Sequence, residues 1–336
     1  MSNIALVTVG NPNALTGGNL YNQRLRAALA ESGVNASIVV LEKRQPSPAL
    51  SSTVLIDSLA LEEAVPVLEE GQAQCILVMH MLPSELAESE AARTRAEGFE
   101  RRWILSAAWV IAACDLLGEK VVGLGADPRR LTIATPGSDG VPRLPHVESE
   151  IPRFLCVASW VPAKGISDAV EAVLATDNAE LDLVGEQPDQ AYAKVVKRSV
   201  GSSRRVRAHG PLQGRELAEL FAAADAFLLA SHSEAYGTVF AEALFVGLPI
   251  VAYDIPAVRV LAGPDGALLS GVADKKGLAI AVRRVADDRI LRDSMALAAR
   301  ERGGRLPTWK ESMNVAVASI VSVMEHQSQW IKSGRI

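Results

Sequence analysis

Short apolar runs of strand length alternate with longer segments of helical period along this 336-residue chain, and the alternation occurs twice. The first series of runs covers residues 4–9, 36–41, 53–56, 75–80, 109–113 and 131–134, with helical patterns such as 19–31 between them. The second covers 154–158, 181–184, 206–209, 226–230, 249–253 and 267–269. A strand followed by a helix returns to its sheet in parallel, and a sheet covered by helices on both faces needs strands that are apolar throughout. The pattern predicts an α/β protein of two Rossmann-like, doubly wound parallel-sheet domains facing across a cleft, with ligands at the carboxyl ends of the strands. The length agrees, since roughly 100–200 residues make one domain.

Between the two series, Pro136, Gly137, Ser138, Asp139, Gly140, Pro142 and Pro145 crowd residues 135–145, a composition that disfavours regular structure and reads as a linker. The expected organisation is a domain over 1–147, a second over 148–306 and a final helix over 307–336. Met313, Val317, Ile320, Val321 and Met324 fall on one stripe of that helix at a 3.6-residue period. It is a docking helix that either finishes the second domain or crosses back to the first.

Composition removes several classes of function. Lys and Arg number 34 against 39 Asp and Glu, a net charge of −5, and nothing in that balance points to nucleic acid, which wants a basic face. With 49% hydrophobic and 22% charged residues, disorder is ruled out for most of the chain. Cys75, Cys114 and Cys156 stand far apart inside apolar runs, as small buried hydrophobes rather than a metal quartet or a disulfide framework. No apolar stretch reaches the ~18 residues that span a bilayer. Met1-Ser2-Asn3 leads into a strand-like run without a basic targeting segment. A cytoplasmic protein is expected. The run 85–109 carries Arg93, Arg95, Arg101 and Arg102, but Glu85, Glu88, Glu90, Glu97 and Glu100 offset them. With Glu97 four residues before Arg101, an exposed helix laced with ion pairs is expected rather than a membrane-surface helix.

The strongest local signal follows the run 226–230. Ser231-His232-Ser233-Glu234 is a polar loop, and Ala235-Tyr236-Gly237-Thr238-Val239 opens a helix. First-turn amides at the positive end of a helix seat a phosphate, and Gly237 lets an anion approach the backbone. Glu234 before the helix and Glu242 one turn inside it are placed to accept hydrogen bonds from sugar hydroxyls. Read alone, they also fit a solvated loop residue and a helix cap. After the run 154–158, Lys164-Gly165 stands at a helix start, where a cation faces the unfavourable end of the dipole unless a diphosphate is to be neutralised. A surface lysine is the alternative. After the first run, residues 11–19 include Gly17-Gly18 ahead of a helix, again at a strand end. The Gly-x-Gly-x-x-Gly spacing of a dinucleotide fold is missing there, which demotes a nicotinamide enzyme. His80 ends its strand at the same edge, as either a ligand contact or a packing residue.

Together these residues resemble the family 4 glycosyltransferases of the GT-B class, over nearly the whole chain. Glu234 and Glu242 are similar to that family's Glu-x7-Glu motif, and Gly247-Leu248-Pro249-Ile250-Val251-Ala252 to the strand entry that follows it. Lys164-Gly165 resembles the donor-phosphate loop, and His209-Gly210-Pro211-Leu212 with Glu216-Leu217 the base-contacting turn. Gly17-Gly18 resembles the glycine-rich loop of the first domain, and Pro136-Gly137-Ser138-Asp139 the linker entry. One position departs: where the family often has Gly-Arg, this chain has Ala158-Ser159, so one of two diphosphate cations is absent.

The resemblance implies retaining transfer of a sugar from a nucleotide diphosphate sugar, with uridine favoured as base, to a small-molecule or glycan hydroxyl, without cofactor or metal. It implies catalytic roles for Lys164 at the phosphates, Glu234 at the sugar hydroxyls and His80 at the sugar ring. Donor binding would draw on Gly17, Gly18, Ser159, Lys164, His209, Gly210, Leu212, Glu234, Ala235, Tyr236, Gly237, Thr238, Val239 and Glu242, with Glu242 on the ribose. An epimerase of the same fold and a non-catalytic nucleotide-sugar sensor remain as alternatives, and the acceptor is open among sugar, polyol, lipid head group and small metabolite.

Overall fold

In the computed structural model, which describes residues 2–41, 52–70, 73–87 and 89–332, every one of the expected apolar runs forms a strand. Met1, Glu88 and residues 333–336 of the final segment lie outside the described residues. The chain divides into two compact units, Met1–Pro136 with Trp309–Ile336, and Gly137–Thr308.

The first unit holds strands β1 (Ser2–Val9), β2 (Val34–Leu41), β3 (Thr53–Asp57), β4 (Gln74–Met79), β5 (Trp109–Ala112) and β6 (Leu131–Ile133), with helices α1 (Gly17–Glu31), α2 (Val65–Glu70), α3 (Glu90–Ser106) and α4 (Asp115–Gly123). The strands pair in parallel in the order β2-β1-β3-β4-β5-β6. The order reverses between β1 and β3, and the loops leaving those two strands open at the reversal, where such sheets bind ligands. β3 is buried at every position, as a central strand covered on both faces must be.

Helix α3 corrects one expectation. Its arginines pair outward with neighbouring elements, Arg95 with Glu62 at 3.9 Å and Arg102 with Glu69 at 3.2 Å, rather than along the helix. Glu100 is buried, accepting from the Ser84 amide at 2.6 Å and the Ser84 hydroxyl at 2.9 Å. Buried Trp103 donates from Nε1 to the Leu61 carbonyl at 2.7 Å. The helix is amphipathic, with one polar residue of its inner stripe satisfied by a hydroxyl and an amide. Counting charges along the sequence could not separate that glutamate from the solvated ones.

The second unit holds β7 (Arg153–Val157), β8 (Glu180–Val184), β9 (Val206–Gly210), β10 (Ala226–Leu229), β11 (Ile250–Tyr253) and β12 (Ala267–Ser270). Its helices are α5 (Ile166–Leu174), α6 (Gln190–Val200), α7 (Gly214–Ala223), α8 (Thr238–Val246), α9 (Pro256–Ala262), α10 (Lys275–Asp287) and α11 (Arg289–Gly303). The strands are parallel in the order β12-β11-β10-β7-β8-β9, reversing between β7 and β10. Phe227 of β10 stacks on Phe221 of α7 at 6.2 Å and meets Phe240 of α8 edge-on at 5.5 Å, so aromatic packing holds both helices on the sheet.

The segment 137–147 lies against this second unit. Ser138 donates from its amide to the Pro307 carbonyl at 2.9 Å, Arg143 Nε donates to the Phe245 carbonyl at 2.6 Å, and the Val147 amide donates to the Ala222 carbonyl at 2.8 Å. Helix α12 (Trp309–Lys332) buries Trp309, Met313, Ala316, Val317, Ile320 and Val323 in the core of the first unit, with Val321 and Met324 packed beside them. Its Ser319 shares a 2.7 Å hydrogen bond with Thr132 of β6.

Candidate functional site

In the second unit, the reversal of strand order leaves the loops after β7 and β10 side by side. The loop after β7 turns through Pro162–Lys164 and enters α5 at Gly165, whose φ of +57° is left-handed. A Cβ on Gly165 would stand 2.1 Å from the Ala230 carbonyl oxygen, so only glycine lets this loop lie against the end of β10. The His232 amide donates to the Ala163 carbonyl at 2.8 Å and joins the two loops.

This approach sets the side chains. Lys164 Nζ donates to Glu234 Oε1 at 2.6 Å, and buried Ser231 donates from Oγ to the same oxygen at 2.6 Å. The carboxylate is thus oriented through one oxygen, which leaves Oε2 as the group that can accept from a ligand. Three residues on, Gly237 caps α8 in the left-handed region at φ +87°, with no side chain bonding into the helix start. The Phe240 and Ala241 amides donate back to the Gly237 carbonyl, and the amides of Thr238 and Val239 head the helix. A helix start capped by a glycine beside a lysine is a seat for an anion, through amide dipoles and through charge. Glu242 is 8% exposed and lies on α8 one turn further in. Ala235 and Ser159 are half-buried, the latter accepting at its carbonyl from Val161 at 2.9 Å, and Tyr236 is buried.

The turn after β9 sits apart from that pair. His209 bonds through Nε2 to Asp182 Oδ1 at 2.7 Å, where Arg207 also donates from Nε at 2.9 Å. Burial works to raise Asp182, but the hydrogen bonds from Arg207 and His209 hold it below the usual carboxylate range. The imidazole thus has Nε2 engaged with an ion network on β8 and β9, and Gly210, at φ +74°, and half-buried Leu212 follow it in the turn. The loop after β8 also comes close: a Cβ on Gly185 would stand 1.9 Å from the Ala158 carbonyl oxygen, and Trp160 donates its amide to the Glu186 carbonyl at 2.8 Å.

In the first unit, Thr16 caps α1 by accepting from the Asn19 amide at 3.2 Å, which places Gly17 and Gly18 in the first turn. Gly18 lies against His80, since a Cβ there would stand 3.3 Å from His80 Cδ2. His80 also meets Tyr21 edge-on at 5.0 Å. Burial pushes its imidazole below the ordinary histidine range, with the Asp57 carboxylate, whose Oδ2 lies 3.8 Å from His80 Nε2, pulling partly back. His80 Nε2 lies 3.0 Å from Asn22 Oδ1, and Asn22 Nδ2 donates to Asp57 Oδ2 at 2.6 Å. Sequence reasoning passed over Thr8, Asn22 and Asp57. The signal was there: Asp57 follows the apolar Val54-Leu55-Ile56 in its strand, and Asn22 interrupts the buried stripe of Tyr21, Leu25 and Leu29.

Cys75, Cys114 and Cys156 are buried thiols, and burial raises Cys75 to about 11 and Cys156 to about 12. Among the described residues no cluster of three or more His, Cys, Asp or Glu could hold a metal, and no helix is long and apolar enough to cross a membrane.

Comparison with known proteins places this architecture. Residues 146–302, nearly the whole second unit, match the family model described as glycosyl transferases group 1. The chain is 34% identical over 145 residues to a glycogen synthase of Mycobacterium tuberculosis, covering 41% of this chain and 35% of that protein. It is 28% identical over 231 residues to a D-inositol 3-phosphate glycosyltransferase of Geodermatophilus obscurus, covering 61% of this chain and 50% of the relative. The chain thus spans between 35% and 50% of the length of these two curated relatives. Among solved structures, sucrose-phosphate synthase of Thermosynechococcus elongatus superposes with a TM-score of 0.79 at 19% identity, over 99% of this chain and 100% of that one. HepE of Anabaena in complex with UDP-glucose gives 0.72 at 15% identity, over 97% and 100%. Two six-stranded parallel sheets and these superpositions establish the GT-B fold.

Proposed function

We propose that this chain is a retaining, metal-independent glycosyltransferase of the family 4 type that moves a sugar from a nucleotide diphosphate sugar, with UDP favoured, to the hydroxyl of a small molecule or glycan. The observation that carries the reading is the Lys164–Glu234 pair beside the Gly237-headed helix, at the strand reversal of the segment that matches the family model. The complex of HepE with UDP-glucose supports UDP as the carrier.

In this reading the acceptor oxygen forms a bond to the anomeric carbon as the bond from that carbon to the diphosphate oxygen breaks. The electron pair leaves on the diphosphate, and the acceptor proton goes to that departing oxygen. The protein then has to position the reactants and stabilise the leaving group. Lys164 and the amides of Thr238 and Val239 take the diphosphate charge, Glu234 accepts from sugar hydroxyls through Oε2, and Glu242 takes the ribose. His80 and Gly18 take the sugar side. With Ser159 where the family often has arginine, Lys164 carries a larger share of the charge.

The test is transfer by Lys164→Ala and Glu242→Ala. Losing a transition-state contact to the leaving group should cost on the order of 10²-fold, as removal of one oxyanion donor does. Rates within about twofold of the parent would sink the assignment. Thermal shifts with UDP, GDP and ADP identify the base, because a ligand that binds only the folded state raises stability by RT ln(1 + [L]/Kd). Conversion of the nucleotide sugar to an isomer without any acceptor, and with no net release of nucleotide, would point to an epimerase.

A further inference from the structure

The polar cluster at the strand reversal of the first unit has a logic that follows from which atoms can donate. Asp57 is 2% exposed, and its carboxylate accepts three hydrogen bonds. Thr8 Oγ1 donates to Oδ2 at 3.1 Å, Asn22 Nδ2 to Oδ2 at 2.6 Å and the Leu59 amide to Oδ1 at 2.9 Å. A carboxylate only accepts, so Asn22, itself 2% exposed, must turn its NH2 toward Asp57. Its carbonyl oxygen is then the atom facing His80 Nε2 at 3.0 Å. That oxygen also only accepts, so Nε2 must carry a proton. In a neutral imidazole the other nitrogen, Nδ1, is then a bare lone pair. The Ser58 hydroxyl accepts from the His80 amide at 3.2 Å and holds the backbone of the same residue.

We propose that Asp57, acting through Asn22, is a positioning residue that sets His80 in the Nε2-protonated tautomer and so makes Nδ1 a hydrogen-bond acceptor for a ligand hydroxyl. Identification of that hydroxyl with one on the transferred sugar rests on the proposed function; the tautomer does not. His80 on this account is no acid: it neither gives a proton to the leaving group nor carries a charge toward it. It selects ligands that present a hydroxyl donor, and a ligand with fluorine in that position loses the contact because fluorine has no proton to give.

Long-range 1H–15N correlation spectra of the 15N-labelled full chain at pH 7 read the tautomer directly, with His80→Gln identifying the His80 signals. A protonated Nε2 beside an unprotonated Nδ1 is the expected pattern in the parent. In Asp57→Asn and in Asn22→Leu the two nitrogen resonances should move toward each other as the Nδ1-protonated form gains population. A parent spectrum showing a charged ring or an Nδ1-protonated ring overturns the proposal, and needs no variant to fold. Unchanged resonances in both folded variants overturn it as well. Adding UDP-glucose should shift Nδ1 more than Nε2. If calorimetry shows UDP-glucose bound and Nδ1 does not move, the ligand contact is refuted. If calorimetry shows no binding of any nucleotide sugar while the tautomer pattern stands, the proposed function fails and the positioning role survives.

Discussion

Gly165 and Ala230 touch at a distance that no other residue type allows: a Cβ on Gly165 would lie 2.1 Å from the Ala230 carbonyl oxygen. This backbone contact brings the Lys164 loop onto the end of β10 and so puts Lys164 within reach of Glu234. Gly33 isolates the backbone effect from the collision, because it also has a positive φ, +80°, and a Cβ there would meet nothing within 4 Å. Gly33→Ala should cost only the positive-φ backbone penalty of about 1–2 kcal/mol. Gly165→Ala adds a backbone collision and should lower the urea midpoint by clearly more. Equal midpoints for the two variants would show that the loop yields freely.

Ser231 orients Glu234 by donating to the same carboxylate oxygen as Lys164. A hydrogen bond to a charged group is worth roughly 1.5–3 kcal/mol, so Ser231→Ala should reduce transfer by about 10- to 100-fold. Most of the loss should fall on kcat/KM for the nucleotide sugar, while calorimetric affinity for the free nucleoside diphosphate stays near that of the parent, since Glu234 is assigned to the sugar.

Two buried carboxylates should respond to pH with opposite signs. Burial, the larger effect, raises Glu100 despite the hydrogen bonds from Ser84. Its folded value stands above its unfolded one, so its favourable contribution is present at low pH and lost as pH rises through the raised value. The melting temperature of Glu100→Gln should therefore gain on that of the parent between about pH 4 and pH 7. Asp182 is held low, so its contribution is present above the ordinary value of about 4 and lost as pH falls through the lowered one. Asp182→Asn should be less stable than the parent at pH 7, with the gap closing below about pH 4. Calorimetry across this range checks both, and a gap of constant size in either pair contradicts the prediction.

Arg143 straps the segment 137–147 to the end of α8. Besides its bond to the Phe245 carbonyl, the guanidinium lies 4.0 Å from the Phe245 ring centroid. An ordinary hydrogen bond and an exposed cation–π contact together predict a loss of roughly 1–2 kcal/mol for Arg143→Ala. Limited proteolysis should then cut the segment faster, and Arg143→Lys should recover little because it lacks the planar fork.

Much of the fold was legible because burial is periodic. Runs such as 226–230, apolar throughout, and 53–56, apolar after Thr53, mark central strands, and the glycines of Gly17-Gly18 and Gly237 stand where helices begin after strand ends. Lys164 and Glu234 could be singled out as types suited to a diphosphate and a sugar, yet their 2.6 Å contact depends on Gly165 and on β7 lying beside β10. Glu100 shows where residue type misleads: it is polar and looks solvated, but its carboxylate is buried and held by Ser84.

The sequence by itself determined the alternation of strands and helices, the two series and the residue types at the strand ends, because each depends on side-chain order along a single element. Tertiary structure alone decided that Asp57 meets Asn22, 35 residues away, that Asn22 meets His80, 58 residues away, and that α12 packs on the first unit. Hydrogen bonds act over about 3 Å, and which side chains come that close depends on the order of strands in a sheet. Periodicity says which face of an element is buried, and it carries no record of the neighbour that buries it.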